Sequence, residues 1–455
     1  MKWGRSSCWL CGELIIMESV WWICKNDGFM NELVVYQGTK DFLLNDLSFD
    51  KKLVALKEKL REFFNLKNVN FLFGSGTSNG AVPTMSELYQ KLYFSDGEKE
   101  LKNEFRCIKR QVGENLEKCL SVMYAARAYY EGIRSKVEKD QDVIDYNKKL
   151  YDQLIEKVEG HIFKEINIEF DSNEAMQVLS YYKTFYQKLA LRSKDNSRIR
   201  VFTTNNDLFN ETALDALNIH YINGFGGGLR KFFNPALFNY TWSKRMDTSM
   251  DKYEPAEDMV YLYKIHGSVN WEETETLENN YFEIEEVRHS KKKGKNPVLI
   301  YPTPTKQDKS LGSPYVDLFR EFQHKLLEPH SVLFVIGYSF SDRHVNEIIY
   351  RALSTNSTLN VVIFGKRPDN SQHKEKPIFF IDDNRIFTIS GCIEEDNEDG
   401  EKTKKSVHHF DFIVNELLPN LDAFRKEDDL MRNFVMEFKK QTKDETDEDR
   451  EDHIS

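Results

Sequence analysis

Five short apolar runs, each ending at or beside a cluster of glycine or small polar residues, constrain this chain more than any other feature. They are residues 69–73 (VNFLF), 199–202 (IRVF), 261–265 (YLYKI), 333–336 (LFVI) and 361–364 (VVIF). A run this short, lacking the polar alternation of a half-wet strand, reads as a strand covered on both faces of a parallel sheet. Helical patterns lie between the runs. Strands alternating with helices predict an α/β chain with a Rossmann-like, doubly wound parallel sheet, whose ligand sits at the carboxyl ends of the strands.

The spacing of the runs sets the organisation. Residues 1–66 read as an N-terminal segment, helical near 51–64. Residues 67–422 hold the strands and form the expected catalytic domain. Within them, residues 96–194 show no buried strand. Leu101, Phe105, Ile108, Val112 and Leu116 fall at steps of three and four and make one apolar stripe, so this stretch is expected to be a large helical insertion. Residues 223–228 (NGFGGG) are expected to be irregular, because four glycines in five positions do not hold a helix. Residues 273–295 read as a polar loop closing in the basic run 291–295. After about residue 423 charged residues dominate, and the last dozen residues are expected to be disordered.

Composition then removes whole classes. The chain has 455 residues, 40% of them hydrophobic, which is enough for a true core; 22 glycines and 11 prolines exclude collagen-like and proline-rich chains. The 74 acidic residues outnumber the 63 basic ones, for a net charge of −11, which argues against a general nucleic-acid coat. Six cysteines (Cys8, Cys11, Cys24, Cys107, Cys119 and Cys392) are too few for a disulfide scaffold. Reduced thiols and a cytoplasmic location are expected. Residues 8–24 are apolar, but Glu13 and Glu18 interrupt them, which disfavours a membrane span. No small-residue cleavage site follows, and Met17 and Met30 are available as alternative starts.

Chemistry-bearing residues cluster where the runs end. Gly74-Ser75-Gly76-Thr77-Ser78-Asn79-Gly80 follows the first, and Thr84 with Glu87 forms a capping box that predicts a helix there. Strand, glycine turn and helix start make either a diphosphate cradle or a plain tight turn. The spacing is neither GxGxxG nor a P-loop. Thr203-Thr204-Asn205-Asn206-Asp207 follows the second run. The Asn205 amide both donates and accepts, so it can hold a water or a sugar hydroxyl; Asp207 either accepts from ribose or the loop, or caps the next helix. His266-Gly267-Ser268 places an imidazole at a strand end, where it can take a proton near neutral pH; a purely structural histidine is the alternative. Gly337-Tyr338-Ser339-Phe340-Ser341-Asp342-Arg343-His344 follows the fourth, either as an adenosine contact through Gly337 and Ser339 or as a tight turn capped by Asp342.

The order of these clusters resembles the sirtuins and their sirtuin-like relatives. That family carries a GAGxS turn, a TQNxD segment, an HGS-type histidine and a later GTS segment; here GSGTS (74–78), TTNND (203–207), HGS (266–268) and GYS (337–339) stand in the same order. The forms KIHGSVNW (264–271) and GYSFSD…H look most like the bacterial sirtuin-like proteins of antiviral (phage) defence. The resemblance covers about residues 67–370. It implies NAD as substrate and cleavage of the nicotinamide–ribose bond. Carried over residue by residue, Asn205 and His266 would be catalytic, the asparagine placing the ribose and water and the histidine acting as base. Gly74, Ser75, Gly76, Thr77, Ser78, Asp207, Gly337 and Ser339 would bind the dinucleotide. Deacetylating sirtuins insert a zinc ribbon of two CxxC pairs after the histidine. No cysteine lies between His266 and Cys392, so no zinc is expected, and water is the expected acceptor. The implied function is an NAD hydrolase that depletes NAD in defence, held silent as a homo-oligomer or with a partner such as a HerA-type ATPase. The alternatives are a protein deacylase or ADP-ribosyltransferase, and a non-enzymatic NAD or ADP-ribose sensor.

Overall fold

A computed structural model describes residues 31–43, 47–133, 137–189, 196–245, 252–256, 259–274, 283–288, 297–299, 313–369, 376–396 and 402–419. The cysteine-containing N-terminal stretch, the basic run 291–295 and the charged tail lie outside them.

The described residues open with β1 (Glu32–Gln37) and β2 (Lys40–Asp41), helix α1 (Phe49–Phe64), and β3 (Asn68–Phe73). Five helices follow: α2 (Met85–Lys91), α3 (Lys99–Val112), α4 (Leu116–Gly132), α5 (Glu138–Ile166) and α6 (Asn173–Leu189). Then come β4 (Arg200–Thr203), α7 (Phe209–Ala216), β5 (His220–Ile222), β6 (Phe225–Gly227), β7 (Lys231–Phe233), β8 (Ser243–Arg245) and β9 (Tyr253–Pro255). After these come β10 (Met259–Lys264), β11 (Gly267–Glu273), β12 (Ile284–Glu286), β13 (Pro297–Leu299), α8 (Tyr315–Leu327), β14 (Ser331–Ile336), α9 (Arg343–Thr355), β15 (Asn360–Phe364), β16 (Ile386–Asp396), β17 (Lys402–Ser406) and a short helical turn, α10 (Phe410–Phe412).

The main sheet runs β2-β1-β16-β15-β14-β3-β4-β10-β5, with β17 paired to β16. From β16 to β5 every neighbouring pair is parallel, and β1 joins antiparallel at one side. The buried apolar runs therefore form the parallel sheet that the sequence predicts. Strand side chains alternate between two cores. Phe71, Phe73, Val201, Leu262 and Phe334 face α1, α6 and α7. Leu72, Phe202, Tyr263, Leu333 and Val335 face α8 and α9. The sheet is thus doubly wound. Phe71 stacks on Phe334 at 5.2 Å and Phe334 on Phe64 at 4.6 Å; removing such a ring from water contributes about 1.5–3 kcal/mol.

The helical stretch after β3 packs in two ways. Helices α2 to α5 share a third core, built from Leu88, Phe105, Leu120, Leu154 and Val158 among others, with Leu208 and Val269 joining it from the strand side. Helix α6 instead lies on the sheet through Val178, Tyr182 and Phe185. The apolar stripe that begins at Leu101 is not one helix. Gly113 (φ 78) ends α3, and Asn115 caps α4 by accepting from the Lys118 N–H at 2.9 Å. Residues 223–228 are not wholly irregular either. Phe225–Gly227 is a strand whose ladder bonds come from β7, and together they edge a second sheet, β13-β11-β12-β7-β6. Gly227 (φ 137) lets that hairpin close; a Cβ there would lie 2.2 Å from the Arg230 carbonyl oxygen.

Candidate functional site

Four neighbouring strands, β14, β3, β4 and β10, end on one line. Ile336 pairs with Phe73, Phe73 with Thr203, and Thr203 with Lys264. The four clusters singled out in the sequence leave the sheet from these four residues. The chain winds outward from β3 through β4 and returns to β14 on its other side, so the order reverses between β3 and β14. That reversal opens a crevice above the carboxyl ends of the strands.

A cleft of about 350 Å³ occupies it, within the usual size of a small-molecule site. Ser75, Ser78, Thr204, Asn205, Asn206, Asp207, His266, Tyr338, Ser339, Ser341 and Asp342 line it from the strand ends; Val82, Pro83, Thr84, Met85 and Ile166 close it from α2, the loop before it and α5. Asn205 and His266 thus open into the same space. Residues Gly74, Gly76, Thr77 and Gly337 do not line it.

The glycines have a packing role, in keeping with the tight-turn alternative. The Gly76 N–H donates to the Gly337 carbonyl at 2.9 Å, and the Gly74 N–H to that of Ile336 at 3.0 Å. A Cβ on Gly74 would lie 2.5 Å from the Gly337 carbonyl oxygen, and one on Gly76 2.7 Å from the Gly337 Cα. The turns after β3 and β14 interlock backbone to backbone, and only glycine permits it. This brings Ser75 and Ser339 to the two lips of one crevice.

Beneath the cleft lies a buried hydroxyl network. Thr77 Oγ1 and Ser78 Oγ lie 2.7 and 3.0 Å from the Tyr182 hydroxyl. The Asn205 side-chain amide donates to both Oγ atoms at 3.1 Å, and the Asn205 N–H donates to Thr203 Oγ1 at 3.0 Å. With its NH₂ held from below, the Asn205 orientation is fixed by these three partners rather than by the ligand. Burial raises the Tyr182 phenol far above its ordinary range, with the nearby Asp207 acting in the same direction, so the hydroxyl stays protonated.

Asp207 accepts within the loop, as one of the sequence alternatives has it, but the N-cap position of α7 is Leu208. Its Oδ1 accepts from the Phe209 N–H at 3.2 Å where α7 begins, and its Oδ2 accepts from Ser78 Oγ at 2.8 Å. Burial pushes its carboxyl above the usual carboxylate range, against the pull of the Lys264 ammonium and the Ser78 hydroxyl.

His266 carries a partner that sequence reasoning missed. Its Nε2 lies 3.0 Å from Asp342 Oδ2. The other carboxylate oxygen, Oδ1, accepts from the His344 N–H at 3.0 Å and the Val345 N–H at 3.5 Å, capping α9. The sequence read Asp342 as a cap alone. The cap fixes the carboxylate, and the carboxylate faces the imidazole. The Phe319 ring stands edge-on to His266 at 6.3 Å. Asn206 anchors the histidine loop, its side-chain amide donating to the carbonyls of His266 at 2.8 Å and Gly267 at 3.2 Å. Ser339 and Ser341 are within 2.9 Å of each other at the outer lip.

Also unread in the sequence were Tyr182 and the Lys264–Glu211 pair, 2.9 Å apart and buried. Lys264 did carry a signal: a lysine inside an otherwise apolar strand must find a counter-charge or not be buried at all.

Comparison with known proteins agrees with this geometry. No curated protein shows significant similarity to the chain. Residues 199–389, less than half the chain, match the family model of a SIR2-like domain. The match takes in the Asn205, His266 and Ser339 loops, and β3 with its glycine turn lies outside it while hydrogen-bonded between two of its strands. Over residues 199–389, then, the chain is similar to a SIR2-like domain.

Proposed function

We propose that the cleft binds NAD and cleaves the nicotinamide–ribose bond with water as acceptor, releasing nicotinamide and ADP-ribose. One observation carries this reading: Asn205 and His266, on adjacent strand ends, face one cleft whose lips hold the Ser75 and Ser339 turns. SIR2-like domains use NAD, which agrees with it.

Cleavage of such a bond passes through an oxocarbenium-like state. As nicotinamide leaves, positive charge grows on the ribose and a water must add to the anomeric carbon. Asn205 positions the ribose and that water, its carboxamide locked by Thr77 and Ser78. His266 takes a proton from the water or from a ribose hydroxyl. Asp342 orients the ring and stabilises the imidazolium that forms, the logic of a carboxylate behind a general base. Ser75, Ser78 and Ser339 contact the rest of the dinucleotide. Asp207, which also lines the cleft, holds the Ser78 and Asn205 loops together.

Unregulated NAD loss would kill the host cell. We therefore place the activity in antiviral defence, silent until triggered in a homo-oligomer or with a partner such as a HerA-type ATPase. The test is incubation of the purified protein with NAD, alone and with its genomic neighbours, followed by nicotinamide detection. NAD is expected to disappear without any acyl substrate. Asn205→Ala and His266→Ala are each expected to abolish the loss, and robust turnover in either would overturn the assignment. Formation of O-acyl-ADP-ribose from an acyl-peptide would instead favour a deacylase. Tight NAD binding in calorimetry with no nicotinamide release would favour a sensor.

A further inference from the structure

The residue beneath both proposed catalytic loops is Lys264, the last of β10 and 1% exposed. An ammonium has three N–H donors, and three acceptors surround this one. They are Glu211 Oε1 on α7 at 2.9 Å, the Asn206 carbonyl at 3.4 Å, and the Asp207 carbonyl. The Asn206 carbonyl also accepts from the Val269 N–H at 3.1 Å. With the Asn206 side chain on the His266 and Gly267 carbonyls, this makes one hydrogen-bonded block of the asparagine and histidine loops. Lys264 and Glu211 stand outside the cleft lining.

Volume alone does not explain such a pair. Well-packed apolar side chains of similar size commonly replace a buried ion pair at no cost in stability. What an apolar pair would not supply is a cation bonded to two consecutive carbonyls of the Asn205 loop. We propose that Lys264 and Glu211 are positioning residues that set the separation of Asn205 and His266, with Glu211 holding the ammonium over the carbonyls. The proposal rests on the NAD-cleavage reading above for its kinetic consequence, and on the geometry alone for its structural one.

The test compares wild type with the double variant Lys264→Met/Glu211→Leu, which removes both charges together. The double variant is expected to melt near wild type. Its KM for NAD is expected to stay within about three-fold, while kcat falls on the order of 100-fold, the usual consequence of displacing reacting groups by about 1 Å. Backbone hydrogen exchange is expected to quicken over residues 205–208 and 266–268 together. Wild-type kcat in the double variant, or unchanged exchange in either loop, overturns the proposal. Should wild type release no nicotinamide from NAD, the cleavage reading fails, and the exchange measurement decides the positioning role by itself. If the double variant does not fold, Glu211→Asp answers the same question: it keeps the charge but withdraws it by one methylene. A drop in kcat at constant KM, with faster exchange in both loops, supports the role, and wild-type values for both overturn it.

Discussion

Gly337 shows how little room the site leaves at single positions. Its φ of 66 lies in the left-handed region, and a Cβ there would sit 2.6 Å from the Thr77 nitrogen and 2.7 Å from the Gly76 carbonyl carbon. Those atoms are backbone and have nowhere to go. Gly337→Ala is expected to cost about 1–3 kcal/mol from conformational strain, plus the clash. Gly80, also at positive φ but with open space around it, serves as the control: Gly80→Ala should lower the melting temperature less. Equal melting of the two variants would show that the turns do not interlock as described. At this scale the sequence was informative about identity and silent about partnership. It marked Gly74, Gly76, Asn205, Asp207, His266 and Gly337 as special, because each stands where a buried strand stops. It did not show that glycine packs on glycine, or that Asp342 faces His266, since a pairing across 76 positions leaves no local pattern.

Elements were legible wherever their signal is local. The capping box of α2 is one case. The Glu87 carboxylate accepts from the Thr84 N–H at 2.7 Å and from its hydroxyl at 2.9 Å, and Thr84 Oγ1 accepts from the Glu87 N–H at 3.4 Å. Thr84 and Met85 then form part of the cleft wall. Thr84→Ala is expected to destabilise by about 1 kcal/mol, as cap losses do. It should also raise the KM for NAD, because the wall frays; Thr84→Ser should restore both. A Thr84→Ala protein with unchanged KM would remove α2 from the site. The β6–β7 hairpin was hidden because its strands are three residues long and held by their partners rather than by propensity.

Across the whole molecule, individual buried groups titrate with opposing signs. Burial, with His409 and Lys366 nearby, lowers His408 from 6.5 to about 4. Between those values the unfolded chain binds a proton that the fold refuses, so stability falls as pH drops through that window. Asp207 and Glu211 act in the opposite sense: burial raises both carboxyls, so the fold loses stability as pH rises through their unfolded values. Comparing His408→Gln with wild type isolates the histidine. Denaturant midpoints from pH 7.5 to 4 should decline less steeply in the variant, and parallel curves would refute the assignment. The sheet order is the part of the whole molecule least visible in sequence. Five runs announce a parallel sheet, but nothing local says that the fourth lies beside the first.

Floor and roof of the cleft have separate origins. The floor is a property of strand register, set by Ile336, Phe73, Thr203 and Lys264 lying level. The roof comes from α2 and α5, whose apolar core takes in Leu208 and Val269 from the strand side. Floor and canopy can therefore vary by different routes: substitutions in the α2–α5 packing would reshape what the cleft admits, while the strand ends below keep their register.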